Sequence, residues 1–228
     1  MAKNIDEYFE KLIAELEQIN HINPKDLPEI ELYMDQVTTF MDSKLNSTKR
    51  HDDDKILTKT MINNYAKNDL LPPPVKKKYS KQHMLMLIYI YYLKNILSIN
   101  DIKALLNPIT DKYFKSTDNI NMDTIYEEIY NSEKGRLDLL INDIKEKYEH
   151  SNSSFEDSSD DEKDFLQLFS FICSMAFDIY AKKHLIEQLI DALPHDKKKK
   201  WYKIIPAFWL VYFYSLSSET MFSFLYPS

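Results

Sequence analysis

The sequence contains a single glycine, Gly135, in 228 residues, whereas an average usage of about 7% would give roughly sixteen. Phosphate-binding loops and dinucleotide-binding turns need several glycines at fixed spacing, so the sequence excludes both. Sandwiches and barrels rich in hairpins also use glycine in their turns, which argues against an all-β fold. The scarcity of glycine therefore predicts a mainly α fold.

Motifs that would indicate an enzyme are missing from the sequence. It carries no HExxH, CxxC or GxSxG pattern, and its six histidines are scattered without ligand spacing. The Asp52–Asp54 triplet beside His51 is typical of a solvated loop, because adjacent side chains cannot all point at one ion in regular structure. We therefore expect a protein that is not an enzyme and has neither cofactor nor metal.

The single cysteine, Cys173, lies in an apolar run and has no second cysteine with which to form an internal disulfide. This usage indicates a reducing compartment, so we expect a cytoplasmic protein. Cys173 is expected to pack as a small core residue rather than to act as a nucleophile.

The net charge of −7 is unevenly distributed along the chain. Between Lys44 and Lys115 there are fourteen basic and six acidic residues, a local charge of +8, while the other segments together carry −15. Such asymmetry is typical of a basic binding module with an acidic companion. The alternative is that the blocks arose by chance in a chain rich in Lys, Asn and Ile.

Helical periodicity covers most of the chain, and prolines and polar loops separate the helical segments. The composition changes after Pro108, where we place a boundary. The domains expected are an N-terminal helix (1–27), a basic module (28–108) and an all-helical C-terminal domain (109–228). Helices are predicted at 5–18, 29–45, 59–68, after capping residues Ser80 and Ser98, at 124–148 and at 164–192, with an extended basic segment after Pro72–Pro74.

The predicted helix at 59–68 has two distinct faces. Thr58, Met61, Ile62 and Tyr65 share one face and can pack inward, because their spacing is i, i+3, i+4 and i+7. The opposite face offers a hydroxyl, two amides and a cation, which are groups that read bases and phosphates in a major groove. An ordinary exposed polar face is the alternative. The candidate DNA-binding residues of this helix are Lys59, Thr60, Asn63, Asn64 and Lys67.

A basic segment follows the helix. Lys76, Lys77 and Lys78 are consecutive cations in a stretch predicted to be extended. Beside a recognition helix, such cations would bind phosphate and give affinity without sequence information. A surface loop decorated with charge is the alternative.

The order of these residues resembles the winged helix-turn-helix of MerR-type transcription regulators. More closely, LYMDQVTTFMD, ILTKTMINNY, KKKYSKQHMLML and LKNILSINDIK resemble a bacterial family known as domain of unknown function 1836, over most of residues 20–190. The resemblance implies a MerR-like DNA-binding half and a helical half of unknown role. The positions that carry the MerR likeness are Thr58, Ile62, Tyr65, Leu70–Pro73, Tyr79–Ser80, Leu97–Ile99, Ile102 and Leu105.

The sequence departs from the MerR pattern at three points. The link before the helix, from about Asn46 to Ile56, is long. Thr60 and Asn63 stand where MerR-type proteins usually have arginines. Asn68–Asp69 stands where they have glycine, although Asn or Asp can adopt the left-handed conformation that ends a helix.

Three hypotheses of function result. The favoured one is a DNA-binding transcription regulator that acts as a homodimer on double-stranded DNA, with Trp201 and Trp209 in a half that dimerises or senses a signal. A small-molecule effector stays open. The alternative is a helical protein-interaction module that keeps a winged-helix frame without binding DNA. The weakest is a tail-anchored membrane protein, because the uncharged run Ile204–Ser218 is shorter than the roughly twenty residues of a bilayer span.

Overall fold

The computed structural model describes residues 2–17, 21–133 and 135–193, and this part of the chain is mainly α-helical, as predicted. The expectations for Trp201, Trp209 and Ile204–Ser218 fall outside the described residues. The helices are α1 (Ala2–Leu16), α2 (Met34–Leu45), α3 (Lys59–Lys67), α4 (Lys81–Leu93), α5 (Ile99–Tyr113), α6 (Met122–Glu133), α7 (Arg136–Asn152) and α8 (Asp160–Asp191), and the strands are β1 (Leu32–Tyr33) and β2 (Lys78–Tyr79).

Helix α4 lies at the centre of the larger core. From His83 to Tyr91 it contains no Asp, Glu, Lys or Arg. A helix that is apolar on every side must be surrounded by other elements. Helices α2, α3, α5 and α6 contribute side chains to the same core. Six consecutive or near-consecutive side chains of α4 are at most 1% exposed, namely Met84, Leu85, Met86, Leu87, Ile88 and Ile90.

The segment before α2 is a strand, which corrects the predicted helix start at residue 29. Leu32 pairs with Tyr79 and Tyr33 with Lys78 in an antiparallel arrangement. Leu32 and Tyr79 are both buried, so the pairing joins two distant segments over the core. The paired residues are 47 and 45 positions apart along the chain, so the pairing leaves no local signal. Helical periodicity alone therefore places the start of the helix too early.

The predicted helix caps are confirmed. Ser98 is the N-cap of α5, where its Oγ accepts the backbone N–H of Asp101 at 3.2 Å and the Asp101 carboxylate accepts the backbone N–H of Ser98 at 3.2 Å. Ser80 is the N-cap of α4. These caps satisfy N–H groups that have no partner within a helix.

The second half of the chain differs from the prediction in two places. Helix α5 continues through Pro108 to Tyr113, at the cost of the bond that a proline cannot donate. The single helix predicted at 124–148 is divided at Gly135, whose φ of 84° is left-handed. The domain boundary at 108 stays a prediction.

Helix α6 also contributes buried side chains to the larger core. Met122 and Tyr126 are buried in it, and the Tyr126 hydroxyl donates to the carbonyl of Ile22 at 2.7 Å. This bond joins the start of the core to α6, because Ile22 is the first residue of the chain that the core includes. The larger core therefore extends from residue 22 through α6, and it also includes Ile190 near the C-terminal end of α8.

A smaller core joins α1, α7 and α8. The Phe9 and Tyr148 rings stack with centroids 3.8 Å apart, and the Phe171 ring of α8 meets both of them edge-on. Lys147 of α7 pairs with Asp178 of α8 at 2.9 Å. The prediction that Cys173 packs in the core was wrong, since its side chain is exposed. It is exposed because α8 turns only one of its apolar sides toward α7.

Candidate nucleic-acid interface

Helix α3 is fixed to the core by one face. Ile62 is fully buried and Tyr65 nearly so, while the Thr58 side chain caps the helix by accepting the backbone N–H of Met61 at 3.1 Å. The expected division of the helix into two faces is confirmed. We call the exposed side, formed by Thr60, Asn63, Asn64 and Lys67, the α3 outer face.

The α3 outer face has free hydrogen-bonding groups. Within the ranges that the structure describes, the side chains of Thr60, Asn63, Asn64 and Lys67 make no hydrogen bond or ion pair, and all four are exposed. A hydroxyl, two amides and an ammonium therefore face solvent together. Lys59 differs from these four, because its ammonium forms an ion pair with Asp35 of α2. No local sequence signal connects Lys59 with Asp35, so this ion pair could not be predicted from the sequence.

The end of α3 uses an aspartate where glycine is usual. Asp69 has a φ of 54°. The backbone N–H of Leu70 donates to the Tyr65 carbonyl at 2.9 Å, and that of Asp69 donates to the Ala66 carbonyl at 3.3 Å. This pair of bonds is a Schellman motif. The expected left-handed residue at Asn68–Asp69 is therefore confirmed at Asp69.

The basic segment is a tight hairpin, which corrects the predicted extended conformation. Val75 and Lys78 exchange backbone hydrogen bonds of 3.2 and 2.9 Å. Lys76 and Lys77 lie between them with φ of 49° and 65°, the two positive values of a type I′ turn. We call these two exposed lysines the hairpin tip. A two-residue loop needs this turn because its twist matches that of the flanking strands, and here no glycine or asparagine supplies it.

The third lysine has a different position from the hairpin tip. Lys78 lies in β2 and is half-buried, with its ammonium 5.6 Å from the centroid of the Tyr33 ring on β1. The structure thus brings two of the three lysines together at a turn and places the third against an aromatic ring.

His83 connects the hairpin to α4. Its Nδ1 accepts the backbone N–H of Ser80 at 3.0 Å, and its buried ring meets those of Tyr79 and Phe114 edge-on. Burial lowers the pKa of His83, because the charged ring loses hydration. The Pro72 and Pro73 carbonyls and the more distant Glu31 carboxylate oppose this shift.

The long link before α3 is packed against α4 through its two ends. The Thr48 hydroxyl is hydrogen-bonded to that of Tyr91, and the ammonium of Lys94 donates to the Ile56 carbonyl at 2.8 Å. Ile56 and Leu57 are buried. The link therefore holds α3 in place although it is longer than a short helix-turn-helix turn.

The Asp triplet in this link supports a turn. The Asp54 carboxylate accepts the backbone N–H groups of Arg50 and His51 at 3.1 and 3.0 Å. The hydrogen bond from His51 is the main reason that the pKa of Asp54 is lowered. Among the residues that the structure describes, no group of three or more His, Cys, Asp or Glu side chains could hold a metal ion.

Comparison with known proteins gives a family match but no activity. Residues 22–129 match the family model described as Domain of unknown function (DUF1836), and this match supports the resemblance to that family. The matched range begins at the first residue of the larger core and ends in α6. No curated protein and no solved structure matches the chain. The family match leaves the MerR-like winged helix unconfirmed.

The left-handed residue that ends α3 gives a stability prediction. Asp69→Gly is expected to be at least as stable as the unchanged protein, whereas Asp69→Ala loses about 1 kcal/mol relative to Asp69→Gly, because a Cβ is disfavoured at positive φ. Denaturant unfolding of the three proteins measures this difference. Equal stability of the two variants would contradict a strained helix end.

The capping histidine gives a pH prediction. Since the pKa of His83 is lowered in the folded state, the unfolded chain takes up the proton first, at about pH 6.5. Stability should therefore be complete above that pH and fall as the pH decreases toward the folded pKa. In His83→Gln the glutamine can accept the same Ser80 N–H without titrating, so the difference in unfolding free energy between pH 7.5 and pH 5.5 should shrink. An unchanged difference would contradict the role of His83.

Proposed function

We propose that the protein is a DNA-binding transcription regulator that uses a MerR-like winged helix-turn-helix. One observation carries the proposal. Helix α3 is fixed by Ile62 and Tyr65 and leaves the four residues of its outer face exposed, in the same module that presents two exposed lysines at the hairpin tip. Fixed polar groups and a basic tip are the two parts that reading bases and holding phosphate require.

The α3 outer face supplies the groups that read bases. The side-chain amide of an asparagine can donate an N–H to adenine N7 and accept from the adenine N6 amine through its carbonyl oxygen, so Asn63 and Asn64 are the residues proposed to read sequence. Thr60 can meet a thymine methyl group or a phosphate, and Lys67 a phosphate or guanine. Lys59 is proposed to bind phosphate after leaving Asp35, since an exposed ion pair is weak.

The hairpin supplies affinity. Lys76 and Lys77 sit at the turn, where their side chains can reach flanking phosphate, and Lys78 on the strand steadies the hairpin against Tyr33. A positive φ is conformationally unfavourable for lysine. Two such lysines in succession form the tight turn that makes the hairpin tip short and protruding. The contribution expected from these cations is electrostatic and independent of sequence.

The arrangement of the elements supports the MerR-like interpretation. Strand β1, α2, α3, the hairpin with β2, and α4 follow in the order that a winged helix-turn-helix requires, and α2 contacts α3. In this scheme α2 is the scaffold helix and α3 the recognition helix. A homodimer would present two such modules to a palindromic site in cytoplasmic DNA.

A protein-interaction module without DNA is the second candidate. The Lys59–Asp35 ion pair favours it, because it withdraws one cation from α3, and so does the net charge of −7. The two candidates differ in how binding depends on salt and on the hairpin tip.

The hairpin tip gives the first test. Lys76→Asn together with Lys77→Gly keeps the type I′ turn, since Asn-Gly favours it, and removes two charges. On a random duplex of about 30 base pairs, the affinity of the unchanged protein should fall steeply with salt, and the logarithmic slope should decrease by about 2 in the variant.

The matched control for this test also loses two lysines, Lys11→Gln with Lys145→Gln, which lie on α1 and α7. It should keep the slope of the unchanged protein. Absence of DNA binding, or binding that is indifferent to salt and to the hairpin tip, would reject the proposal and favour the protein-interaction module.

Asn63 gives the second test. On DNA fragments that the purified protein selects from a genomic library, Asn63→Ala should lose about 1–3 kcal/mol of discrimination at one base pair while affinity for random DNA changes little. Asn95→Ala, also at an exposed asparagine, serves as the control. Equal losses on selected and random DNA would contradict a base-reading role for Asn63.

A further inference from the structure

Helix α8 exposes an apolar surface that nothing in the described structure covers. From Phe165 to Phe177 the helix contains no charged residue. The large apolar side chains on one side of it range from 38% to 66% exposed. We call this surface the α8 outer face; it comprises Phe165, Leu168, Phe169, Ile172, Ile179 and Tyr180.

The opposite side of α8 already holds the helix in place. Phe171 and Met175 pack against the smaller core, Asp178 pairs with Lys147, and the Gln167 amide donates to the carbonyls of Asn152 and Ser154 at 2.6 and 2.9 Å. The α8 outer face is therefore not needed to attach the helix, and its exposure is a separate property of the sequence.

The size of the α8 outer face fits a protein interface. Six large side chains, each about half exposed, offer roughly 650 Å² if a fully exposed side chain presents about 200 Å². A stable interface of standard size buries about 800 Å² on each partner. Scattered single apolar residues are ordinary on a surface, but a continuous patch of this size marks a binding site.

We infer that a second copy of this chain covers the α8 outer face, with the two α8 helices antiparallel about a twofold axis near Ile172 and Cys173. Phe165, Ile172 and Ile179 recur every seven residues, the spacing of a helix–helix seam. About this axis Phe165 lies opposite Tyr180 of the partner copy, so two aromatic side chains meet there. Phe169 lies opposite Ala176, so at that position a large side chain meets a small one.

The charges at the two ends of α8 favour the antiparallel arrangement. Glu162 and Asp164 lie near its N-terminal end, and Lys182 and Lys183 lie near its C-terminal end. The twofold axis that places Phe165 opposite Tyr180 also places Glu162 opposite Lys183 of the other copy, although Lys163 then lies opposite Lys182. A parallel pair would bring like charges together at both ends, which is unfavourable.

A bilayer fits this helix less well. In the described part of the chain, Glu162–Asp191 is the one helix long and apolar enough to cross a membrane by length and composition. However, α7 lies along its other side with Lys145, Lys147 and further charged residues, and these would have to enter the hydrocarbon with it at high cost.

The inference goes beyond DNA binding, since it rests on α8 alone. It also supplies an interface for the homodimer that the proposed function expects. A protein that dimerises through α8 without binding DNA would support this inference and reject the proposed function. A protein that binds DNA only as a monomer would support the proposed function and reject this inference.

The only cysteine of the chain makes the test direct. Cys173 is exposed and lies beside the inferred axis, so a short bismaleimide should link two unchanged full-length chains into a covalent dimer. In a Cys173→Ser background, Phe165→Cys and Tyr180→Cys should not crosslink alone, since like positions lie roughly 22 Å apart. A mixture of the two, one carrying a size tag, should crosslink.

Substitution of the α8 outer face completes the test. Ile172→Glu places two carboxylates at the axis and should weaken the dimer by about a hundredfold or more in sedimentation equilibrium. Ile120→Glu, at an exposed isoleucine in the loop after α5, should leave it unchanged, and circular dichroism should be the same for both. A monomeric full-length chain would overturn the inference. This holds for a monomer in which residues 204–218 protect Cys173 from reagents, and equally for a monomer that binds vesicles. Crosslinking of Phe165→Cys alone would overturn the antiparallel arrangement.

Discussion

The burial of α4 is the constraint on which the rest of the structure depends. Its side chains are enclosed on every side, and each large apolar side chain removed from water contributes about 1.5–3 kcal/mol. The elements that carry the candidate interface are attached to this helix. The link before α3 is bonded to Tyr91 and Lys94, and the hairpin leads directly into its N-terminal cap at Ser80. The buried central helix thus positions the polar groups of the candidate interface, which themselves bury little apolar surface.

This dependence explains why the candidate interface tolerates unusual backbone. Asp69, Lys76 and Lys77 all have positive φ, and each is adjacent to residues that the core or the strand pairing holds. Leu70 and Leu71 are buried immediately after Asp69, and Tyr79 is buried after the hairpin. Because these anchors fix the chain on both sides, the turns persist without the glycines that would make them easy. The single glycine of the chain, Gly135, lies at the break between α6 and α7.

Much of the fold could be predicted from the sequence because its signals are local. The caps at Thr58, Ser80 and Ser98 and the two faces of α3 depend on residues three or four apart. The rest depends on residues distant in the chain. The pairing of β1 with β2, the Lys59–Asp35 ion pair and the exposure of Cys173 follow from how elements meet, which no short pattern contains. The hairpin at Lys76–Lys77 was missed for another reason, since lysine is a rare choice at positive φ.

The most direct test of the account is a contact between α3 and one atom in the major groove. In a duplex selected by the full-length protein, each adenine is replaced in turn by 7-deazaadenine, which lacks the N7 acceptor but keeps Watson–Crick pairing. If Asn63 or Asn64 reads adenine through N6 and N7, one such replacement should lower the affinity of the unchanged protein by about tenfold. The same replacement should have no effect on the variant in which that asparagine is alanine. Equal affinity of the unchanged protein for every substituted duplex would contradict an α3 that reads adenine in the major groove.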